Sequence, residues 1–160
     1  MEIAPQRRTQ QFGYTYDYRT LKISKSENEI SNEIQHFISK MQELGFYENN
    51  SCEQIIVNEY TTDQGIGKHT DAPCFGDTVA SLTLNDTTVM VFHEYENKIA
   101  TGRICTVTLK PRSLVVLQRE ARYIWAHEIP KKQEFEANGI TWKRAPDFRR
   151  VSITFRKVVH

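Results

Sequence analysis

Long apolar runs are missing from this chain of 160 residues. No stretch approaches the roughly 18 consecutive apolar residues that a membrane-spanning helix needs. The N-terminal sequence, MEIAPQRRTQQFGYTYDY, also lacks the apolar segment of a secretory signal. We therefore expect a protein that makes no use of a membrane.

Cysteine is scarce too. The three residues, Cys52, Cys74 and Cys105, are odd in number and widely separated. That pattern argues against a disulfide framework and indicates free thiols in a reducing compartment. The cytosol or the nucleus is the expected location.

An excess of charge of one sign is likewise absent, because 21 Lys and Arg balance 20 Asp and Glu to a net charge of +1. The overall charge gives no direct indication of a nucleic-acid partner. The basic pairs at 7–8, 131–132 and 149–150, each taken alone, are interpreted as solvated surface charge. Ordinary composition, with no repeat, linker or low-complexity tract, predicts one globular domain over 1–160, and we expect it to be a monomer.

What the sequence does contain is a series of short segments with strand character, separated by turn signals such as Asp63-Gln64-Gly65. Many short strands beside one helix indicate a mainly β (α+β) fold, a double-stranded β-helix or jelly roll with a flanking helix. The polar stretch 131–148, with Gly139 and Pro146, is predicted to be a surface loop that could act as a lid. Strands are predicted at 54–60, 79–84, 88–93, 103–109, 113–117, 123–128 and 151–157.

The flanking helix is predicted from residues typical of its start and its end. Ser26 and Glu29 have capping-box spacing, and apolar residues then recur at three- and four-residue steps from Ile30 to Leu44. Gly45 stands where a left-handed C-terminal cap belongs. The apolar face of this helix is expected to pack on a sheet.

One histidine stands out by its neighbours. His69 and Asp71 are two residues apart, and in an extended segment this spacing points an imidazole and a carboxylate the same way. Gly65 and Gly67 precede them and suit a backbone that turns sharply into a site. An H-x-D pair alone is weak, because it occurs by chance in many proteins.

The downstream half of the chain adds to this pair. His127 ends a predicted strand, and the final predicted strand places Arg150, Ser152, Thr154 and Arg156 on one face. Either this is an edge strand with both arginines in water, or the arginines face an anion inside the fold. Two histidines and one carboxylate form a facial triad that leaves iron positions open for a bidentate 2-oxo acid and O2. Arginine would hold the distal carboxylate of such an acid.

These motifs, in this order, resemble the AlkB family of 2-oxoglutarate-dependent dioxygenases. The resemblance rests on H-x-D at 69–71, the later His127, and R-x-x-x-x-x-R at 150–156. Asn58-Glu-Tyr60 is similar to the N-x-Y of that family, and the segments at 79–84, 110–117 and 123–127 are similar to the strands around its iron site. The match runs from about residue 7 to 158.

The resemblance implies a role for each matching residue. The iron ligands would be His69, Asp71 and His127, and the cofactors Fe(II), 2-oxoglutarate as cosubstrate, and O2. Arg150 would hold the distal carboxylate of 2-oxoglutarate with help from Tyr60. Asn58 and Arg156 would act at the metal end, where Arg156 could also steady Asp71, and Ser81 is a further pocket candidate. The implied reaction is hydroxylation of a substrate C–H, which on an N-methyl group becomes demethylation.

The resemblance also implies a modified nucleic acid as partner, with tRNA or other RNA ahead of DNA. DNA-repair members carry an acidic residue two positions past the iron aspartate, and Pro73 stands there instead. His-x-Asp-x-Pro is closer to eukaryotic branches, one of which hydroxylates a tRNA wobble uridine. Two alternatives stay open, namely the same chemistry on a protein or small molecule, and a catalytically silent binding module.

Substrate contact is sought in an aromatic row. Strict alternation predicts that four rings share one face of a strand, where they could stack a flipped base or simply pack a sheet. Tyr14 and Tyr16 are the residues chosen if a base is bound. The row consists of Phe12, Tyr14, Tyr16 and Tyr18.

Overall fold

The computed structural model describes residues 7–47, 52–137 and 139–159. Short strands dominate this part of the chain, and two helices interrupt them. The elements are β1 (Arg8–Phe12), β2 (Tyr14–Asp17), β3 (Lys22–Lys25), α1 (Asn32–Glu43), β4 (Gln54–Thr61), β5 (Ile66–His69), β6 (Phe75–Asn85), β7 (Thr88–Glu96), β8 (Ile99–Leu109), β9 (Ser113–Leu117), α2 (Arg119–Tyr123), β10 (Trp125–Ile129), β11 (Glu134–Ala137), β12 (Ile140–Lys143) and β13 (Arg149–Val158).

Two antiparallel sheets form the body of the fold. The major sheet has the order β1-β4-β13-β6-β9 and the minor sheet the order β5-β10-β7-β8. Two small hairpins, β2-β3 and β11-β12, lie beside them. The mainly β fold of jelly-roll type is therefore confirmed. None of the helices in the described ranges is long and apolar enough to cross a membrane.

The strand β13 lies in the middle of the major sheet, between β4 and β6. The alternative of an edge strand is therefore wrong. Its alternation divides the two faces of the sheet: Ile153 and Phe155 join the core beneath α1, while the opposite face buries the four polar residues of the same strand. Those four are Arg150, Ser152, Thr154 and Arg156, each at most 9% exposed.

The core has two parts, one on each face of the major sheet. Beneath α1, Ile34, Ile38 and Met41 of the helix pack against residues such as Ile55 and Phe155. Between the sheets, a second cluster contains Val79, Met90, Phe92, Leu109, Leu117 and Ile129. Burial of these side chains holds the sheets together and leaves a polar cavity between them.

The start of α1 differs from the prediction. Its N-cap is Ser31, whose side chain accepts a hydrogen bond from the Ile34 amide at 3.4 Å. Ser26 instead bonds the Gln11 carbonyl, so its capping-box spacing with Glu29 has no helical role. Gly45 follows the helix with a φ of +83°, as its position predicts for a left-handed residue.

Three further local predictions are wrong. The aromatic row is not one strand, because Gly13 adopts a φ of +70° and separates β1 from β2. Burial then differs sharply along it, from Tyr16 at 5% exposed to Tyr18 at 52%. The loop predicted at 131–148 contains the hairpin β11-β12, and Tyr123, predicted to begin a strand, instead ends the short helix α2 ahead of β10.

Candidate metal centre and cosubstrate pocket

The two neighbouring strands β5 and β10 bring the histidines together. His69 ends β5 and is the direct register partner of His127 in β10, with ring centroids 4.5 Å apart. Asp71 follows β5 by two residues, and its Oδ2 lies 3.7 Å from Nε2 of His127. All three side chains therefore face one point between the sheets.

The Asp71 carboxylate is deeply buried and paired with Arg156, whose Nη2 lies 2.5 Å from Oδ1. Burial alone would raise the pKa of Asp71, but Arg156 and the two histidines outweigh burial and lower it. For Arg156, burial alone would lower the pKa, but the neighbouring Asp71 outweighs burial and raises the pKa above its usual value. Each group therefore keeps the other ionised, and the carboxylate remains an anionic oxygen donor.

The histidines are suited to accept a Lewis acid. Burial, followed by the proximity of His69, lowers the pKa of His127 to about 4, so its ring is neutral at physiological pH. Nδ1 of His69 lies 2.8 Å from the Gly67 carbonyl oxygen. That contact assigns the ring proton to Nδ1 and leaves Nε2 with its lone pair free.

The loop that carries Asp71 is held by an arginine from α2. The buried guanidinium of Arg122 donates to four carbonyl oxygens of this loop and the start of β6 at 2.9–3.0 Å. The sequence reasoning missed Arg122, because nothing in its neighbourhood marks it as buried. The four acceptors belong to Asp71, Ala72, Phe75 and Gly76.

Farther along β13, Arg150 is 1% exposed and lies inside the cavity. Its Nη2 donates to Thr83 Oγ1 at 3.0 Å, and its guanidinium carbon lies 5.2 Å from the centre of the Tyr60 ring. Burial lowers the pKa of Arg150, and Tyr60 opposes this change. No carboxylate among the described residues forms an ion pair with Arg150, so it is a buried cation suited to an anionic ligand.

A single small cavity, of about 50 Å³, connects these groups. All eight residues predicted for iron and 2-oxoglutarate line it. Apolar residues from both sheets complete its wall, together with Ser152 and Thr154 of β13. The lining consists of Asn58, Tyr60, Ile66, His69, Asp71, Val79, Ser81, Met90, Val115, Leu117, His127, Ile129, Arg150, Ser152, Thr154 and Arg156.

The two tyrosines chosen for a base do not line this cavity. Tyr16 packs edge-to-face on Phe75 and on Tyr18, with ring centroids 5.5 and 4.9 Å away, and Tyr14 is half-buried in the hairpin. Tyr18 instead reaches the site, because its side chain interacts with Arg156 and helps to raise the pKa of that guanidinium.

Tyr18 also lines an open groove over the cavity, which we call the mouth groove. Its walls are Arg7, Thr9, Gln11, Tyr18, Asp63, Gln64, Gly65, Ile66, Gly67 and Lys131. Ile66 lines both the groove and the cavity, and Arg7 donates to Asn58 Oδ1 at 3.2 Å. The basic residues Arg7 and Lys131 therefore stand at the entrance to the site.

The residues present fit an iron ion and a dicarboxylate. Three buried polar side-chain atoms without a hydrogen-bond partner lie here, namely His127 Nδ1, Arg150 Nε and Arg156 Nε. Within the described ranges, no three His, Cys, Asp or Glu side chains are already spaced to hold a metal. The carboxylate faces Arg156 as well as the histidines, and the donor set of two imidazoles and one carboxylate suits Fe(II).

Comparison with known proteins agrees with this chemistry. The family model for the 2OG-Fe(II) oxygenase superfamily matches residues 1–156. The chain belongs to this superfamily. It is a dioxygenase, an oxidoreductase that uses Fe(II), 2-oxoglutarate and O2.

Individual relatives add detail. An uncharacterised protein of Acanthamoeba polyphaga mimivirus is 33% identical over 96% of the chain and 71% of the relative. The Arabidopsis thaliana protein named alkylated DNA repair protein ALKBH8 homolog is 29% identical over 95% of the chain. A Macaca fascicularis protein named tRNA (carboxymethyluridine(34)-5-O)-methyltransferase ALKBH8 is 30% identical over 95% of the chain. The matches span 49% and 24% of these last two proteins, so the chain corresponds to a part of each.

Solved structures share the fold. The structure of OsALKBH1 matches 96% of the chain and 78% of its own, with a TM-score of 0.61 at 16% identity. A Pseudomonas putida prolyl-4-hydroxylase matches 96% and 71%, with a TM-score of 0.55 at 16% identity. Together with the ALKBH8 relatives, the first of these confirms that the chain is AlkB-like.

Proposed function

We propose that this dioxygenase hydroxylates or demethylates a modified nucleic acid, RNA such as tRNA ahead of DNA. The observation that carries the site assignment is the shared cavity, where every predicted metal and cosubstrate residue meets. The names of the Arabidopsis and macaque relatives support a nucleic-acid substrate. The mouth groove has two basic residues, Arg7 and Lys131, against one acidic residue, Asp63, and this excess of positive charge is consistent with a polyanion.

In this proposal His69, Asp71 and His127 hold iron. When bound, iron supplies activation of O2 coupled to decarboxylation of 2-oxoglutarate, with succinate, CO2 and a hydroxylated substrate as products. Arg156 keeps Asp71 ionised through their contact, and Gly67 orients the His69 ring through Nδ1. An N-methyl group hydroxylated in this way loses formaldehyde.

The remaining residues position 2-oxoglutarate. Arg150, backed by Thr83 and the Tyr60 ring, offers a fixed planar cation to the distal carboxylate. Asn58 and Ser81 add polar contacts along the cavity. Apolar side chains such as Met90 and Leu117 exclude water from the reacting centre.

The first test is succinate release with Fe(II), ascorbate and 2-oxoglutarate, with and without substrate. We expect wild-type protein to release succinate and the double variant His69→Ala, Asp71→Ala to release none above background. His36→Ala serves as a matched control, because His36 is exposed on α1, away from the cavity. Equal release by wild type and the double variant would show a catalytically silent module.

The second test identifies the substrate. Total tRNA and methylated DNA oligonucleotides are incubated with the protein, digested to nucleosides and examined by mass spectrometry. We expect gain of one oxygen or loss of a methyl group in the tRNA sample. The near-neutral net charge is the observation that favours a protein substrate instead, and a mass change confined to a peptide library would establish that alternative.

A further inference from the structure

A second cleft lies on the outer side of β5, next to the candidate iron site. We call it the flank cleft, and its volume of about 480 Å³ falls within the range of about 300–1,000 Å³ typical of ligand sites. It is lined by Lys68, Thr70, Tyr95, Asn97, Lys98, Tyr123, Ile124 and Ala126. No residue of this set lines the cavity between the sheets.

The flank cleft and the mouth groove are joined by the edge strand β5 and the residue on either side of it. Gly65, Ile66 and Gly67 line the mouth groove, whereas Lys68 and Thr70 line the flank cleft. His69, between Lys68 and Thr70 in the sequence, points into the cavity. Because β5 is at the edge of the minor sheet, a linear polymer can pass along it from one cleft to the other.

The charge of the flank cleft favours an anion. Lys68 and Lys98 are both exposed, and no Asp or Glu is among the lining residues. In the part of the chain that the structure describes, neither lysine takes part in an ion pair. The nearby Glu94 is paired with Arg103 at 2.7 Å.

The position of Lys98 is an independent observation. Asn97 and Lys98 form the two-residue turn between β7 and β8, with φ values of +49° and +67°. Glycine would adopt the second of these conformations without steric cost, and it is the usual residue there. A lysine held in this strained conformation at the rim of a binding cleft indicates a use for its charge.

Aromatic and apolar surface adjoins the two lysines. Tyr123 is 57% exposed, and the Arg122 guanidinium stacks on its ring at 4.8 Å. Ile124 beside it is 39% exposed, and its carbonyl accepts a hydrogen bond from the Tyr95 amide at 3.0 Å. The ring is thus held on a fixed support and still presents most of its surface, which suits it to stack a base.

We propose that the flank cleft binds a single-stranded stretch of the nucleic-acid substrate next to the modified nucleotide. Lys68 and Lys98 contact backbone phosphates and Tyr123 stacks an unpaired base, while the target nucleotide enters through the mouth groove. A single strand is specified because a base in a duplex does not expose its face to an aromatic ring. This inference rests on the proposed function, whose substrate it makes more specific.

The test is binding of a labelled, unmodified single-stranded RNA of about 12 nucleotides, followed by fluorescence anisotropy across a salt series. We expect the double variant Lys68→Glu, Lys98→Glu to bind at least about tenfold more weakly, with the slope of log affinity against log salt reduced by about 1.4 for two lost phosphate contacts. Tyr123→Ala should weaken binding by about fivefold or more through lost stacking.

Two controls keep the interpretation specific. Lys110→Glu, Lys143→Glu makes the same change of net charge on exposed residues outside the cleft and should bind nearly as wild type does. Lys98→Gly removes the charge while it relieves the turn, so weaker binding by this variant cannot come from a strained or unfolded hairpin. Thermal melts of each variant by circular dichroism verify folding.

The outcomes separate this inference from the proposed function. If the cleft variants bind RNA as tightly as the Lys110, Lys143 control does, the flank-cleft assignment is wrong. It is also wrong if polyglutamate displaces the labelled RNA as well as unlabelled RNA does and Tyr123→Ala has no effect on binding. The substrate assay decides the proposed function independently. A wild-type protein that releases succinate but neither binds nor modifies any nucleic acid would overturn both.

Discussion

Arg149 and Arg150 are neighbours in the sequence and lie in opposite environments. Arg149 is exposed and pairs with Glu59, whereas Arg150 is 1% exposed inside the cavity. Substitution of Arg149 is therefore a control for the same substitution of Arg150. We expect Arg150→Met to weaken 2-oxoglutarate binding by about 2 kcal/mol or more, roughly thirtyfold, because a buried charge-assisted contact is lost. Arg149→Met should leave it nearly unchanged.

The measurement for Arg150 is titration calorimetry of 2-oxoglutarate into protein loaded with Mn(II), a metal that does not turn over. Metal affinity is measured separately for each variant. The assigned role predicts a selective loss of cosubstrate affinity in Arg150→Met. Equal losses of metal and cosubstrate affinity would instead show a general disturbance of the site.

Arg122 is a second single residue on which the site depends, and it contacts backbone carbonyls near Asp71. Its four hydrogen bonds to carbonyls of residues 71–76 fix the segment that presents Asp71. We expect Arg122→Lys to lower Co(II) affinity by about tenfold, the usual magnitude for residues that orient metal ligands. Amide hydrogen exchange should rise across residues 71–77. The exposed Arg119→Lys serves as the control, and unchanged exchange in the Arg122 variant would contradict the clamp.

At the scale of elements, β5 depends on a close approach to β10. A Cβ on Gly65 would lie 2.2 Å from the Ile129 carbonyl oxygen, whereas one on Gly67 would meet nothing within 4 Å. We expect Gly65→Ala to destabilise the fold by about 2 kcal/mol in urea unfolding, with weaker metal binding as His69 is displaced. Gly67→Ala should stay within about 0.5 kcal/mol of wild type. Similar values for both would contradict this account.

The elements also show which sequence patterns are informative. The alternation at 150–156 predicted which face of β13 holds the arginines, because successive side chains of a strand point to opposite faces whatever the sheet packs against. The start of α1 was wrong because Ser26 has the right spacing but is engaged by Gln11 of β1, a contact that no local pattern contains. The short strand β5 and the hairpin β11-β12 carry too few apolar residues to be recognised.

The same distinction applies to the site. The residues of the cavity came from motifs whose order resembles a family, and the structure brings all eight of them together. Arg122 was missed at the site and Arg144 as a buried residue, since their surroundings arise only when distant segments meet, and Tyr18 was named only as a member of the aromatic row. Arg144, for example, donates to carbonyls of Thr62, Gln64 and Pro130. A surface arginine and a buried one are alike in sequence.

At the scale of the whole molecule, the reactivities of two free thiols, Cys52 and Cys105, measure how tightly two different layers of the fold are packed. Cys52 is 5% exposed under α1, and burial raises its pKa to about 12, so almost no thiolate forms at pH 8. Cys105 is exposed on β8. We expect iodoacetamide at pH 8 to modify Cys105 in minutes and Cys52 only after unfolding, as measured by peptide mass spectrometry. Equal modification of both in native protein would contradict this packing.

The central place of β13 has a consequence for biosynthesis. This strand separates β4 from β6, and the ribosome makes it after both. Until residues 149–158 emerge, β4 and β6 each present an unpaired edge, and Arg150, the cation proposed for 2-oxoglutarate, is still absent. We therefore expect a nascent chain stalled before this point to be prone to pair with other strands. The proposed cosubstrate site and protection from aggregation therefore depend on the same ten residues.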